Sequence, residues 1–323
     1  MLFTIIIPVY NRADLVRRTL DTVLAQTYRP LQLVLVDNCS TDDSLQVLQQ
    51  FAQEHDAPDF HVVVTQEQKH TAGAARNRGM QLATGQWIVF FDSDDEMAPS
   101  LLEAYSRNVQ RKQGQADIVS VRSLLVFPDG ARREAPFFTS DLLANQILHS
   151  QLATQRYAVS RDFFAKTAGW NDDLPGWNDW ELGIRMLLLR PRVLFDDNDP
   201  MVLINHKGED SITGTEFHTR AGQWEHVIDL VRAQVEESPL PQAEKRRYVR
   251  LLDYRRLVLA AQYRREGCRD LAQPLATQAL NALRDSYGGG LVWRMCVGPM
   301  ARLLYRRIAR GKRGAARIAR LIF

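Results

Sequence analysis

The amino-acid sequence predicts an α/β fold, in which a mainly parallel sheet carries helices on both faces and is followed by a helical C-terminal extension. Apolar runs of strand length alternate with helical patterns from the first residue onward. The runs are continuously apolar, as in strands that are covered on both faces. The pattern then becomes wholly helical from about residue 216. Strands that alternate with helices are typical of a parallel sheet.

The first hundred residues contain four strand-length apolar runs separated by helical segments. These predicted strands are Leu2–Val9, Leu31–Val36, Phe60–Val64 and Trp87–Phe91. Apolar residues recur at helical spacing from Leu15 and again from Leu45, and the Ala-rich segment Thr71–Ala83 predicts a third helix. Later segments predict two further helices and two further strands. They are the helices Pro99–Lys112 and Glu181–Leu189 and the strands Asp117–Val121 and Met201–Ile204.

The charge is divided unequally along the chain. The 323 residues carry a formal net charge of +3. Residues 244–323 hold 19 Lys and Arg against 5 Asp and Glu, whereas residues 1–243 hold 22 against 33. With 45% hydrophobic residues the chain has an ordinary globular composition, which excludes disordered, collagen-like and disulfide-scaffold classes. We predict a catalytic domain over 1–215, a helical extension over 216–290 and a basic amphipathic segment over 291–323.

Neither a membrane span nor a signal peptide is predicted. The longest apolar runs resemble Trp87–Phe91, far below the roughly 18 residues that cross a bilayer. The three cysteines, Cys39, Cys268 and Cys296, are widely spaced and fit reduced thiols. The expected location is cytoplasmic, with possible peripheral contact on the inner face of the cytoplasmic membrane.

Polar clusters follow three of the predicted strands. They are Tyr10-Asn11-Arg12, Asp37-Asn38 and Asp92-Ser93-Asp94-Asp95. Because open α/β sheets bind ligands beyond the carboxyl ends of their strands, we expect these clusters to converge at one edge. Two carboxylates at Asp92 and Asp94 are suited to Mg²⁺ or Mn²⁺, whose other positions phosphate oxygens and water would fill. Taken alone, the same stretch is more often an acidic, solvated turn.

Four motifs occur in one order and carry a family resemblance. They are Thr4-Ile5-Ile6-Ile7-Pro8-Val9-Tyr10-Asn11, Val36-Asp37-Asn38-Cys39-Ser40-Thr41-Asp42, Gly73-Ala74-Ala75-Arg76-Asn77-Arg78-Gly79 and Phe91-Asp92-Ser93-Asp94-Asp95. Over about residues 1–215 the sequence resembles the inverting family 2 glycosyltransferases, which use nucleotide sugars on a Rossmann-like type A transferase fold. The resemblance implies a nucleotide-sugar donor, a UDP-sugar in the usual case, and a saccharide or lipid-linked acceptor. It also implies a place in cell-surface polysaccharide or glycolipid synthesis.

The resemblance assigns most of the polar residues to the donor and its metal. Its nucleotide-binding positions are Pro8, Tyr10, Asn11, Asp37, Arg76, Asn77, Asp92 and Ser93. Asp37 would accept a hydrogen bond from the base, Asp94 and His206 would bind the metal, and Asp95 would lie near the sugar. The competing interpretations are an ordinary strand terminus for Pro8 and Tyr10, a surface ion pair for Arg76 and a structural histidine for His206.

The acidic segment Gly176–Leu182 resembles the part of the family that holds the catalytic base. We assign that role to Asp179, since an acceptor hydroxyl needs a carboxylate to take its proton. Asn178 stands where the family usually has Glu, which puts the neighbouring contact in doubt. Asp179 and Glu181 could instead be charges at a helix N-terminus. Trp177 and Trp180 would stack on a sugar or pack in the core, and Glu181 is placed with them at the sugar.

Residues 291–323 combine nine Lys and Arg with apolar residues at helical spacing and contain no acid. A basic helix with an apolar stripe is typical of an interfacial membrane segment. The alternatives are a helix packed on the protein with its basic face in solvent and, less in keeping with the sequence, nucleic-acid binding. No nucleic-acid partner is expected.

Three other functions are weighed against the transferase. A metal-dependent phosphatase also places Asp-x-Asp after a strand, but normally after the first strand, whereas here it follows the fourth. A dinucleotide oxidoreductase would need GxGxxG after the first strand, and the sequence lacks it there. An inactive transferase fold that serves as a scaffold at a membrane remains the non-enzymatic alternative, against which Asp37, Asp94 and Asp179 argue.

Overall fold

The computed structural model describes residues 1–205, 216–312 and 315–323, with only the backbone at positions 316 and 317. The strands are β1 (Phe3–Val9), β2 (Leu31–Asp37), β3 (Phe60–Gln66), β4 (Trp87–Phe90), β5 (Glu96–Met97), β6 (Ile118–Val121), β7 (Ser123–Val126), β8 (Arg132–Ala135), β9 (Tyr157–Ser160), β10 (Val193–Asp196) and β11 (Val202–Asn205). The helices are α1 (Ala13–Leu24), α2 (Ser44–His55), α3 (Ala72–Leu82), α4 (Leu101–Arg111), α5 (Leu142–His149), α6 (Arg161–Phe164), α7 (Asn178–Leu188), α8 (Ala221–Glu237), α9 (Gln242–Arg265), α10 (Arg269–Ser286), α11 (Gly298–Ala309) and α12 (Ala315–Ile322).

Seven strands form the main sheet in the order β10-β6-β9-β4-β1-β2-β3. Neighbouring strands are parallel except at β9, which is antiparallel to both β4 and β6. The predicted α/β class with a mainly parallel sheet is therefore confirmed. The chain proceeds from β1 to β2 and β3 and then returns to place β4 on the other side of β1. Such a reversal of strand order marks the place where open α/β sheets bind ligands.

The strands at the centre of the main sheet are buried on both faces, as their continuous apolar sequence predicts. Ile5, Ile6 and Ile7 of β1 have no exposed surface, although their side chains alternate between faces. Helix α3 approaches β1 so closely that a Cβ at Gly79 would lie 2.3 Å from Ile6 Cγ2. Glycine is required there because any larger side chain would push the helix off the sheet.

A smaller sheet has the order β5-β11-β7-β8. Strand β11 is antiparallel to β5 and parallel to β7, and β7 pairs antiparallel with β8. Strand β5 directly follows the acidic stretch after β4. The chain therefore leaves the main sheet at the carboxyl end of β4 and enters the smaller sheet at β5. The sequence analysis predicted β11 but not β5, β7 or β8.

The chain forms two compact units. The first takes residues 1–139 and the described residues from 151 to 205, and the second takes residues 140–150 and those described from 216 onward. In the second unit α9 is the central helix, against which α5, α8, α10, α11 and α12 pack. Helix α5 belongs to this unit because Asp141, at its start, bonds Arg247 and Tyr248 of α9. Among the described residues, no helix is long and apolar enough to cross a membrane.

Candidate active site

The carboxyl ends of β1 and β2 are bonded to each other through the loops that follow them. The Asn38 amide donates to the Val9 carbonyl at 2.7 Å. The side chain of Asn11 accepts from the Thr41 amide at 2.8 Å, and the Asn11 amide donates to Ser40 Oγ at 3.0 Å. Asn11, which has a positive φ of 49°, thus joins the two loops at the edge of the sheet.

Asp37 lies at the end of β2 with 1% of its surface exposed. Its Oδ2 accepts a hydrogen bond from Gln66 at 3.4 Å, while Oδ1 has no bonding partner among the residues that the structure describes. Tyr10 is close in the fold, since the residue before it, Val9, pairs with Asp37 across the sheet. The ring of Tyr10 is 42% exposed and meets His70 edge to face at 4.3 Å. A buried carboxylate oxygen beside an exposed aromatic ring is suited to a nucleobase, which needs both a polar partner and a stacking surface.

Arg76 of α3 forms an ion pair with Asp92 beyond β4. Arg76 Nη2 lies 2.7 Å from Asp92 Oδ1, and the guanidinium stands 4.4 Å above the ring of Trp170. Arg76 is only 5% exposed. Its Nε and Nη1 atoms find no acceptor within the described ranges. The indole holds the guanidinium in place, so the arginine presents a fixed positive charge at the end of the sheet.

Asp94 and Asp95 are neighbours in sequence with different surroundings. Asp94 is partly exposed, and its Oδ2 lies 3.8 Å from Arg12 Nε. Asp95 is 2% exposed, and both of its oxygens accept hydrogen bonds, from Gln155 at 2.5 Å and from the Asn205 amide at 2.7 Å. Asp95 therefore ties the start of β5 to the end of β11. The sugar contact predicted for Asp95 stays a prediction, since its observed bonds are to the protein.

Three carboxyl groups, those of Asp92, Asp95 and Asp179, have raised pKa values. Burial raises the pKa of Asp92, the charge of Arg76 opposes the rise and Asp94 adds to it. Burial likewise raises the pKa of Asp179, again with Arg76 opposing and Asp92 adding. These interactions place Asp179, Arg76 and Asp92 in one electrostatic group, into which Tyr157 also packs. A carboxylate with a raised pKa is a stronger base, which is what proton abstraction requires.

The loop before α7 is anchored to α3 through main-chain atoms. Asn77 donates to the Trp170 carbonyl and accepts from the Trp170 amide, each at 2.9 Å. Thr71, which caps α3, donates to the Asp172 carbonyl at 2.9 Å. A Cβ at Gly73 would lie 2.9 Å from the Asn171 carbonyl oxygen. Asn77 thus has a positioning role in the structure, and its predicted contact with the nucleotide stays a prediction.

Glu181 and Arg185 form the second anchor of this loop. Glu181 is fully buried, and its two oxygens accept from Arg185 Nε at 2.7 Å and Nη2 at 2.8 Å. Arg185 also donates to the carbonyls of Thr167 and Gly169. The bonds of Glu181 serve the position of α7, and its predicted contact with a sugar stays a prediction.

The two tryptophans beside Asp179 are buried. Trp177 is 7% exposed and Trp180 is 1% exposed, and their ring centroids lie 5.5 Å apart. Their burial favours the packing interpretation over stacking on a sugar. Trp177 has a positive φ of 55° immediately before α7, which fixes the direction in which the helix begins.

Most of the predicted site residues lie at one edge of the main sheet in the structure. Pro8 is the next-to-last residue of β1, and Ser93 is buried between Asp92 and Asp94 in the sequence. His206, the predicted second metal ligand, lies outside the described residues. The sequence analysis gave no role to Arg12, Gln155, Tyr157, Trp170 or Arg185. Only Arg12 carried a usable signal, because it belongs to the polar cluster after the first strand.

The described residues offer two partly exposed carboxylates, Asp92 and Asp94, to a divalent cation. Within residues 1–205, 216–312 and 315–323, no three His, Cys, Asp or Glu side chains are grouped to hold a metal ion. Mg²⁺ is commonly bound by one or two carboxylates together with substrate phosphates, so this donor set fits such an ion when a diphosphate is also bound.

The comparisons with known proteins agree with this geometry. The model of the family described as glycosyl transferase family 2 matches residues 4–150. A relative from Bacillus subtilis (strain 168), the putative teichuronic acid biosynthesis glycosyltransferase TuaG, is 35% identical over 102 residues, which are 32% of this chain and 39% of TuaG. Each of the first curated relatives is matched over less than half of its own length.

Two solved structures have a similar fold. The S. aureus TarS 1-349 complex with UDP-GlcNAc matches with a TM-score of 0.70 at 18% identity, covering 99% of this chain and 91% of that one. The mannosyltransferase PcManGT from Pyrobaculum calidifontis, in complex with GDP-Man and Mn²⁺, matches with a TM-score of 0.60 at 19% identity, covering 99% and 86%. Residues 4–150 therefore match the glycosyl transferase family 2 model, and the chain has the mixed α/β fold of these two solved structures.

Proposed function

We propose that the protein is a metal-dependent inverting glycosyltransferase that moves a sugar from a nucleoside-diphosphate donor to an acceptor hydroxyl. The observation that carries the proposal is the grouping of Asp179 with the Arg76–Asp92 ion pair at the carboxyl edge of the sheet. That grouping supplies a base with a raised pKa next to a fixed positive charge. A base and a cation in one cleft are the two parts that such a transfer needs.

The donor that we propose is a UDP-sugar. Asp37 would accept a hydrogen bond from the base through its Oδ1 atom, and Tyr10 would stack on the base with its exposed ring. Asn11 shapes this pocket by fixing the two loops that border it. The similarity of the fold to a structure with bound UDP-GlcNAc supports the choice of uracil.

Asp94 and Asp92 would hold the divalent cation, and His206 is the third ligand that we propose. When bound, the cation would neutralise charge on the diphosphate of the donor. The complex of PcManGT with Mn²⁺ supports Mn²⁺ as one candidate ion, beside Mg²⁺. Arg12, at 3.8 Å from Asp94, adds positive charge to the same place.

Asp179 would act as the general base. Its carboxylate takes the proton of the acceptor hydroxyl while the acceptor oxygen bonds to the anomeric carbon from the face opposite the diphosphate. The bond from that carbon to the diphosphate breaks, and its electron pair stays on the leaving phosphate oxygen. Attack from the opposite face inverts the anomeric configuration. Arg76 pairs with Asp92, and its charge opposes the rise in the pKa of Asp179, which favours the ionised form that a base needs.

The acceptor that we propose is a growing cell-surface saccharide or a lipid-linked saccharide. The support is the similarity to TuaG, whose name places that protein in teichuronic acid biosynthesis. The identity of the transferred sugar would depend on the loop 169–177 and on the chain after β11.

The test is thermal-shift and hydrolysis measurement with UDP-GlcNAc, UDP-glucose and GDP-mannose, each with and without Mn²⁺. We expect one UDP-sugar to raise the melting temperature only with the metal and to be hydrolysed slowly. Asp94→Ala should abolish both effects, whereas the matched control Asp59→Asn, at an exposed acid of the same unit, should keep them. If a UDP-sugar raised the melting temperature but was not hydrolysed, even with each candidate acceptor present, the scaffold interpretation would be favoured. A lack of response to any nucleoside diphosphate would contradict the proposal.

A further inference from the structure

We call residues 291–323 the arm and the exposed side of residues 291–321 the arm surface. The arm surface holds most of the large apolar side chains that are exposed among the described residues. Six of the ten large apolar side chains that are exposed among the described residues lie here. They are Leu291 (73%), Val292 (60%), Met295 (70%), Leu303 (57%), Ile318 (37%) and Leu321 (85%). Every such side chain that is more than half exposed belongs to this set, since the remaining four are between 36% and 46% exposed.

Packing within the second unit does not account for these residues. The arm has a separate, buried side that includes Trp293, Val297 and Leu304, and its last residue, Phe323, stacks on Tyr254 of α9 at 5.1 Å. The helices are therefore already packed on the unit. Leu303 is 57% exposed beside Leu304, which is 1% exposed, because the two side chains point to different sides of α11. The arm thus carries more apolar surface than its own packing uses.

Positive charge accompanies this apolar surface. Six Lys and Arg of the arm are exposed, namely Arg294, Arg302, Arg306, Arg307, Arg310 and Lys312. Arg302, Arg306 and Arg310 follow each other at four-residue intervals and so form a row along α11. No acidic residue occurs from 291 to 323. The charged residues that the segment itself contributes are therefore all cations, and those that are described as exposed accompany the exposed apolar side chains.

A groove between α11 and α12 is also lined by both apolar and cationic side chains. Its volume is about 280 Å³. It is lined by the apolar residues Leu303, Leu304 and Ile318 and by the cations Arg306, Arg307, Arg310 and Lys312. Apolar and cationic side chains around one groove match the junction between an acyl chain and a phosphate headgroup.

We infer that the arm surface binds the anionic surface of a phospholipid bilayer. Its exposed leucine, valine and methionine side chains enter the headgroup boundary, while the arginines and the lysine contact lipid phosphates. This inference goes beyond the proposed sugar transfer and does not depend on it, because it rests on residues of the second unit alone.

Charge and composition argue against two other occupants. A second copy of the chain docked on the same surface would bring cations against cations, with no acid in either segment to pair them. Nucleic acid would use the cations but not the exposed apolar side chains, and the aromatic residues of the arm, Trp293, Tyr305 and Phe323, are all buried and cannot stack on bases.

The experiment is cosedimentation of the whole 323-residue chain with vesicles of phosphatidylcholine and phosphatidylglycerol in equal parts, compared with pure phosphatidylcholine. Point variants are preferred to deletion of the arm, since deletion would uncover Tyr254 and its neighbours. We expect binding to the anionic vesicles that weakens with added salt. R302E/R306E should lower the partition coefficient about tenfold or more. M295S/L303S should lower it by a similar factor at constant charge.

The matched control is R111E/K112E, which makes the same change of charge at two exposed residues of the first unit. It should bind vesicles as the unaltered protein does. Circular dichroism and melting temperature must be unchanged in all variants, which separates lost binding from lost folding. Equal binding of R302E/R306E and the control would overturn the inference. The inference would also be overturned if the parent protein did not bind vesicles but formed a dimer that M295S/L303S dissociates. Tight binding of duplex DNA without vesicle binding would overturn it as well.

The same result distinguishes this inference from the proposed function. Hydrolysis of a UDP-sugar in solution needs the first unit and no vesicle, so an inactive protein that still binds anionic vesicles would contradict only the transferase proposal. An active protein that ignores vesicles would contradict only the arm surface.

Discussion

The acidic edge of the main sheet and the basic arm surface differ in the surroundings of their charged side chains. At the sheet edge, Asp92 is paired with Arg76 at 2.7 Å and Asp95 is bonded at both oxygens. On the arm surface, six cations stand exposed with no acid in their segment. Buried charges need partners because desolvation is costly, and those partners fix geometry. Exposed charges are hydrated by water and leave a surface open to a mobile anionic partner.

The largest expected effect concerns the base. Asp179→Asn keeps the shape of the side chain but cannot accept a proton, so we expect hydrolysis of the active UDP-sugar to fall about a thousandfold. Nucleotide binding, measured by thermal shift with UDP and Mn²⁺, should be unchanged because the proposed mechanism places Asp179 at the acceptor and not at the nucleotide. If Asp179→Asn retained most of the activity, the sheet edge would be an electrostatic cluster without the proposed base.

The next effect tests the two sides of the arm. Leu304→Ala removes a buried side chain and should lower the free energy of unfolding by about 3 kcal/mol. Leu303→Ala, at the exposed neighbour, should change it by less than about 0.5 kcal/mol. Chemical denaturation of the two variants and the parent measures both values. Similar destabilisation by the two substitutions would mean that Leu303 is covered by protein, which would remove it from the arm surface.

The smallest effect concerns the stability cost of a charged Asp179. Its pKa is raised in the folded protein, so the contribution of this group to stability is fully present below the unfolded-state pKa and is lost as the pH rises through the folded-state pKa. Asparagine does not ionise, so the stability of Asp179→Asn does not fall in this way as the pH rises. We therefore expect this variant to melt about 2 °C above the parent at neutral pH. The difference should shrink as the pH falls below the raised pKa.

The exposed control Asp59→Asn should show no such pH-dependent difference. A melting temperature of Asp179→Asn below that of the parent at neutral pH would mean that the charged carboxylate is stabilised by its surroundings. These melting measurements need no substrate, so they can be made before the acceptor is identified.

The fold and the position of the site were predictable from local patterns. Continuous apolar runs identified β1, β2, β3 and β4 because strands buried on both faces have little choice of residue. The polar residues that follow three of those strands meet at one edge because parallel strands end together. This regularity placed Tyr10, Asp37 and Asp92 in one neighbourhood without any three-dimensional information.

The bonds that occupy the acidic side chains were not predictable. The partners of Asp95 come from Gln155 and Asn205, and the partner of Glu181 is Arg185. A carboxylate that binds substrate and one that binds the protein are identical residues in the sequence, and only long-range packing separates them. Strand β9 was missed because its sequence, Tyr157-Ala158-Val159-Ser160, lacks the run of large apolar residues that identified β4.

The anchoring of the loop before α7 has a consequence for how the specificity of this protein can change. The loop is fixed through main-chain atoms of Thr167, Gly169, Trp170 and Asp172, which every residue type except proline supplies in full. A substitution at a loop position whose side chain makes no contact with the rest of the unit, unlike Trp170 beneath Arg76, would therefore leave the start of α7 in place. Under the proposed function, such substitutions would change the acceptor preference without moving the carboxylate that would remove the proton.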